Sequence, residues 1–195
     1  SVRDPLTGLF NRRHMTDYLR TMIQNAQRTE AGFSMVYLDV DHFKKFNDNH
    51  GHDAGDMVLR TVGEALERAC DGDEIACRMG GEEFMLLLPG TDRKAAEPRA
   101  EKLRRAIEAI TLRYGEKNLP RSTASIGVAL FPEHGQMPQD LLRMADDAMY
   151  EAKARGRNLV VVAGNDAGPA TEDAEAQADR DFETRAQGDK IPRAV

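Results

Sequence analysis

Residues 74–89 run EIACRM, then Gly80 and Gly81, then Glu82 and Glu83, then FMLLLP. Two short apolar runs around paired glycines predict an antiparallel hairpin, because glycine takes positive φ without a Cβ penalty and lets the chain reverse in few residues. Two strands cannot bury their apolar faces alone, so the hairpin demands further layers. The chain supplies them. FSMVYLDV at 33–40 reads as a strand covered on both faces, STASIGVALF at 122–131 alternates as a strand does, and NLVVVA at 158–163 closes the sheet. Three-and-four spacing predicts helices through Met15, Leu19, Met22 and Ile23, through Val58, Val62 and Leu66, through Ala96, Ala100, Leu103 and Ile107, and over 139–155 with Gly156 as the stop. Asn11 is placed to cap the first of these, and Pro98 falls near the first turns of the third. Between strand 33–40 and the second helix, DHFKKFNDNHGHDAGD predicts a polar helical turn and a glycine-punctuated loop shaped by His52 and Asp53. The order contains a β-α-β-β-α-β core, which predicts an α+β fold of the ferredoxin-like type: a mostly antiparallel sheet flanked by helices.

A chain of 195 residues with 41% hydrophobic content fills one domain with some remainder. The division is predicted at residues 1–163 and 164–195. In the second part acidic residues outnumber basic ones and only Phe182 and Ile191 are large and apolar, too little surface to offset the entropy of ordering, so a disordered tail is expected. A net charge of -6 excludes a sequence-wide basic field for DNA, RNA or an anionic membrane. No apolar run approaches the roughly 20 residues of a membrane span and no signal peptide opens the chain, which predicts a cytoplasmic protein. Cys70 and Cys77 lack zinc-site spacing and read as inert thiols. The opening SVRDPLTGLFNRR already resembles the working part of a domain, so an output domain with a sensor upstream is expected.

Asp39 ends a buried strand, with Asp41 two residues on; the two face one way only if extended geometry continues. A strand-end acid alone caps a turn. Here the hairpin brings Glu82 and Glu83 beside that strand, and converging carboxylates repel by several kcal/mol at low effective dielectric unless a cation lies between them. Oxygen-only ligands suit Mg²⁺ or Mn²⁺. HFKKFND begins a helical turn whose free N–H groups suit phosphate oxygens, and YEAKARGRN sets Lys153 and Arg157 four apart near a helix C-terminus. Separately these are a helix start and cations favoured by the helix dipole. Together they describe a site for a nucleoside triphosphate.

DPLTGLFNRR, LDVDHFKKFNDNHGHDAGD, RMGGEEF, STASIGVA and ADDAMYEAKARGRN resemble, in order, the signature blocks of the GGDEF family of bacterial diguanylate cyclases, with glutamate at the third position of the name motif. The likeness runs from about Asp4 to Val162. It implies a nucleotidyl-cyclase, polymerase-palm type of fold that condenses two GTP into cyclic di-GMP and two pyrophosphates across a homodimer of facing sites. It further implies Asp39, Glu82 and the Val40 carbonyl as metal ligands. The backbone of His42, Phe43 and Lys44, with Lys153 and Arg157, would hold the terminal phosphates. Gly80 and Gly81 would allow close approach of the backbone. Asn47 and Asp56 would read guanine, since a carboxylate accepts from both N1–H and N2–H, a pattern adenine lacks. Glu82, Glu83 or water would take the hydroxyl proton, three candidates the sequence leaves open. Many relatives carry an Arg-x-x-Asp product-inhibition site five residues before the glycines; Asp71 and Glu74 stand there, and Arg68-Ala69-Cys70-Asp71 has the letters three residues early. Weak product inhibition is expected. The alternative is a silent module that binds GTP or cyclic di-GMP and signals without turnover. Arg78 reads as structural, and His14, His50, His52 and His134 show no metal-ligand spacing.

Overall fold

The structure, a computed structural model, describes residues 1–164; the expected tail, apart from Gly164, lies outside the described residues. The elements are β1 (Phe10–Asn11), α1 (Arg12–Thr29), β2 (Phe33–Val40), α2 (Phe43–His50), α3 (His52–Ala69), β3 (Ile75–Gly80), β4 (Glu83–Pro89), α4 (Arg93–Glu108), β5 (Arg113–Tyr114), β6 (Lys117–Asn118), β7 (Ala124–Phe131), α5 (Pro138–Ala154) and β8 (Val160–Val162).

Six strands form one sheet in the order β1-β3-β4-β2-β7-β8, and β5 and β6 form a separate hairpin. The core pairings β3–β4, β4–β2 and β2–β7 are antiparallel, while β1 and β8 join the edges in parallel. This is the expected ferredoxin-like arrangement, with β2 and β7 buried along their whole length. Alternation along β2 sends Val36, Leu38 and Val40 into the layer of α3 and α4, and Met35 and Tyr37 into that of α1 and α5. Burying both faces explains why the strand reads as an unbroken apolar run until its acid end.

Local signals act where the sequence places them. Asn11 Oδ1 accepts from His14 N–H at 3.0 Å and Asp92 Oδ1 from Ala95 N–H at 3.0 Å, each cap contributing about 1 kcal/mol. Pro98 sits inside α4 at its sixth residue. The expected loop before the second long helix is a single residue: Gly51, at φ 87°, ends α2 and starts α3, so His52 and Asp53 open a helix instead of shaping a loop. The two-residue strands β1, β5 and β6 are too short to carry a periodic signal. Both cysteines are unpaired, and burial pushes the Cys70 thiol up to about 11 and the Cys77 thiol to about 12, as inert thiols require. No helix among the described residues is long and apolar enough to cross a membrane.

Candidate active site

The candidate residues gather where β2 ends and β4 begins. Asp39 is 4% exposed and pairs in register with Glu83 on one side and Ser125 on the other. Gly80 and Gly81, at φ 139° and 51°, turn the chain so that Glu82 occupies the turn and Glu83 starts β4. A Cβ on either glycine would meet nothing within 4 Å, so their φ values, not crowding, demand glycine. Val40 N–H donates to the Glu82 carbonyl at 3.1 Å, tying the turn to the end of β2. The Arg78 guanidinium donates to the Gly81 carbonyl at 2.8 and 3.0 Å and to both Asp4 oxygens at 3.2 and 3.3 Å, the structural role read from sequence.

α5 packs tightly on β7. A Cβ at Gly127 would lie 2.1 Å from the Ala145 carbonyl, so only glycine allows this approach. The approach carries Lys153 Nζ to 3.2 Å from Asp39 Oδ1. Burial, opposed by Lys153 and reinforced by the charges of Glu82 and Glu83, raises the Asp39 carboxyl to about 7. Burial is the larger cause, and the Lys153 ammonium offsets it only in part. Tyr37, two residues before Asp39 on the same face, donates from its buried hydroxyl to Glu83 Oε2 at 2.9 Å. Sequence reasoning passed over Tyr37, although period-two alternation was the signal that aligned it with Asp39 and Glu83.

Beyond Val40 the chain turns. Extended geometry stops at Asp41, so its carboxylate leaves the Asp39 cluster and accepts from Thr123 Oγ1, Ser125 Oγ and Asn158 N–H at 2.7, 2.6 and 3.1 Å. His42 follows in left-handed conformation, φ 55°, and α2 begins with no side-chain cap. The first N–H groups of α2, at Phe43 and Lys44, thus have no intrahelical acceptor where the chain leaves β2, while the Phe43 ring is buried.

α2 and α3 cross at a second close contact. The Asn47 side-chain oxygen is buried without a hydrogen-bond partner among the described residues, and a Cβ on Gly55 would fall 1.8 Å from it. Asp56, next in α3, is half-buried. Arg157 lies past the end of α5, exposed and left-handed at φ 67°, beyond Gly156 at φ 115°, the stop expected from sequence. Asp39, Val40, His42, Phe43, Lys44, Glu82, Glu83 and Lys153 are thus assembled by strand pairing and one ion pair. Asn47 and Asp56 belong to the neighbouring α2–α3 crossing. Arg157 is joined to the cluster through its neighbour Asn158.

Among the described residues no three His, Cys, Asp or Glu side chains converge into a metal cage. The donor set still fits a small hard cation: Asp39 and Glu82 carboxylates at a buried, negatively charged strand end suit an ion that completes its shell with water and substrate oxygens. At the product-site positions, Glu74 forms a two-pronged ion pair with Arg99, one bond at 2.6 Å, and accepts from Asp71 N–H at 2.9 Å. Arg68 sits in the last turn of α3 and faces Glu64 at 3.8 Å.

The model of the diguanylate cyclase GGDEF domain matches residues 1–159. The probable diguanylate cyclase DgcT of Escherichia coli is 40% identical over 161 residues, 82% of this chain and 35% of that protein. The response regulator PleD of Caulobacter vibrioides is 40% identical over 163 residues, 83% of this chain and 36% of PleD. The chain therefore spans about a third of the length of these relatives. In structure it resembles the GGDEF domain of DgcB from Caulobacter crescentus, solved in complex with c-di-GMP, with a TM-score of 0.79, 32% identity, and coverage of 83% of this chain and 95% of that one. On these grounds, and with its glycine turn, strand-end acids and α2 start arranged as described, the chain belongs to the GGDEF family of diguanylate cyclase domains.

Proposed function

We propose that this chain condenses two molecules of GTP into cyclic di-GMP with release of two pyrophosphates, as the output domain of a longer bacterial signalling protein. The observation that carries the reading is the buried, unpartnered oxygen of Asn47 beside the uncapped start of α2. A buried acceptor without a donor is costly unless a ligand supplies one, and guanine presents N–H donors. Asp56 accepts from the same edge of the base, which favours GTP over ATP.

The phosphates follow from that placement. The N–H groups of His42, Phe43 and Lys44 at the α2 start bind the terminal phosphate oxygens, and Lys153 and Arg157 balance charge as pyrophosphate leaves. Asp39, Glu82 and the Val40 carbonyl hold Mg²⁺ or Mn²⁺, which when bound neutralises the triphosphate and lowers the pKa of the attacking 3′-hydroxyl. Gly80 and Gly81, with open space around them, let the backbone come close to the nucleotide. Glu83, oriented by Tyr37, and Glu82 are the groups positioned to take the hydroxyl proton, and water is the third candidate. One chain holds one GTP, so the reaction joins two chains face to face. With Glu74 held by Arg99 in place of a product-binding Arg-x-x-Asp, product inhibition is weak.

The test is direct. A dimer forced by an N-terminal fusion, incubated with GTP and Mg²⁺, should yield cyclic di-GMP by chromatography, and Asp39→Ala should remove the product. A forced dimer that binds GTP and makes none would establish the silent binding module instead.

A further inference from the structure

We propose that Asp41 is a positioning residue that holds the Arg157 turn in register with the phosphate-binding start of α2, so that the triphosphate is gripped from two sides. The inference rests on the GTP reading above. Asp41 is 7% exposed, and its carboxylate spends its acceptor capacity on three donors distant in sequence. Two are hydroxyls at the start of β7, Thr123 and Ser125, and Asp41 N–H also donates to the Thr123 carbonyl at 2.8 Å. The third is the backbone N–H of Asn158, which follows Arg157.

Both sides of that bond are held in unusual backbone. On one side His42, next to Asp41, is left-handed; on the other Arg157 and Asn158 are left-handed in succession, at φ 67° and 50°. Side chains with a Cβ disfavour this conformation, and it persists where contacts fix it. Here they do. Arg157 N–H donates to the Ala152 carbonyl at 3.0 Å, Asn158 N–H to Asp41, and the Asn158 side chain accepts from Arg104 at 2.6 Å and donates to Glu108. α4 thus anchors the turn from behind while Asp41 fixes its distance from residues 42–44. A carboxylate suits the post because two oxygens accept three bonds at once. Nothing in this arrangement requires Asp41 to touch metal or substrate.

The experiment measures binding by the 195-residue chain of Mg²⁺–GTP by calorimetry and of guanosine by ligand-observed NMR. Asp41→Ala should weaken GTP about tenfold, and Asp41→Asn about threefold, with guanosine affinity within twofold of wild type in both. Asp41→Asn keeps the volume, and Ser125 can turn its hydroxyl to accept, so this variant decides the matter where the alanine variant does not fold. In an Arg157→Ala background Asp41→Ala should cost less than threefold more, since the turn it registers no longer carries a cation. GTP affinity unchanged in both Asp41 variants, guanosine lost in proportion to GTP, or the full tenfold effect surviving without Arg157 would each overturn the inference. A wild-type chain that binds guanosine but not GTP would overturn the functional reading and this inference together; normal GTP binding with silent Asp41 variants overturns this inference alone.

Discussion

Asn47 carries the most informative single atom in the molecule: a buried acceptor with no donor, an arrangement that costs about 1–3 kcal/mol in the free protein. Its cause is local, because Gly55, lacking a Cβ, leaves room for that oxygen but offers it no donor. Replacing Asn47 with Ala removes the orphan and inserts a better helix former, so the melting temperature should hold or rise by a few degrees while guanine nucleotide affinity falls about tenfold or more. Gly55→Ala attacks the same contact from the other side. Its Cβ would collide with the Asn47 oxygen, so affinity and melting temperature should fall together. Calorimetric titration with GTP and thermal unfolding separate the two variants; an Asn47→Ala chain that loses stability but binds normally would remove the base-reading assignment.

At the scale of elements, the pair Glu74–Arg99 joins the approach to β3 to α4, and Arg99 reaches on to the Ala69 carbonyl at the end of α3 at 2.7 Å. The hydrogen bonds from Arg99, working against partial burial, hold the Glu74 carboxyl below its ordinary value of 4.5. A carboxyl lowered by folding stabilises the native state at neutral pH, and that contribution disappears as pH falls through the folded value. Glu74→Gln should therefore lower stability by about 2 kcal/mol, roughly 4–8 °C in melting temperature, at pH 7. The gap should close at pH below the ordinary carboxylate range; a gap that stays constant with pH would show that charge is not the source. On the proposed reading the same pair matters for product inhibition, since Glu74 stands at the aspartate position of the Arg-x-x-Asp motif and Asp71 at its arginine position. Element boundaries were legible to within a residue or two for β2, β3, β4, β7 and α5, whose ends are marked by acid, glycine or proline. They were not legible for β1, β5 and β6, whose two-residue pairings depend on neighbours that only the folded sheet supplies.

At the scale of the whole molecule, if the proposed site holds one GTP per chain, turnover on the proposed reaction requires two chains. Product formed per chain should rise with protein concentration, approaching proportionality when monomers dominate, and the forced dimer should lose that dependence. An activity per chain that is constant on dilution, with monomers verified by sedimentation, would sink the two-chain requirement.

The sequence by itself determined the features governed by neighbours in the chain: the glycine turn that carries Glu82 and Glu83, the cap at Asn11, the two-sided burial of β2, and the helix stop at Gly156. Each rests on backbone φ, side-chain period or one local hydrogen bond. Only the tertiary structure decided which side chains meet. Lys153 reaches Asp39 because Gly127 lets α5 lie close on β7; Glu83 meets Tyr37 because β2 and β4 pair in one register; Asp41 turns away from Asp39 to bond residues 82, 84 and 117 positions later. Those contacts are set by the depth and register of packing, to within an ångström, and no run of residues encodes such a distance on its own.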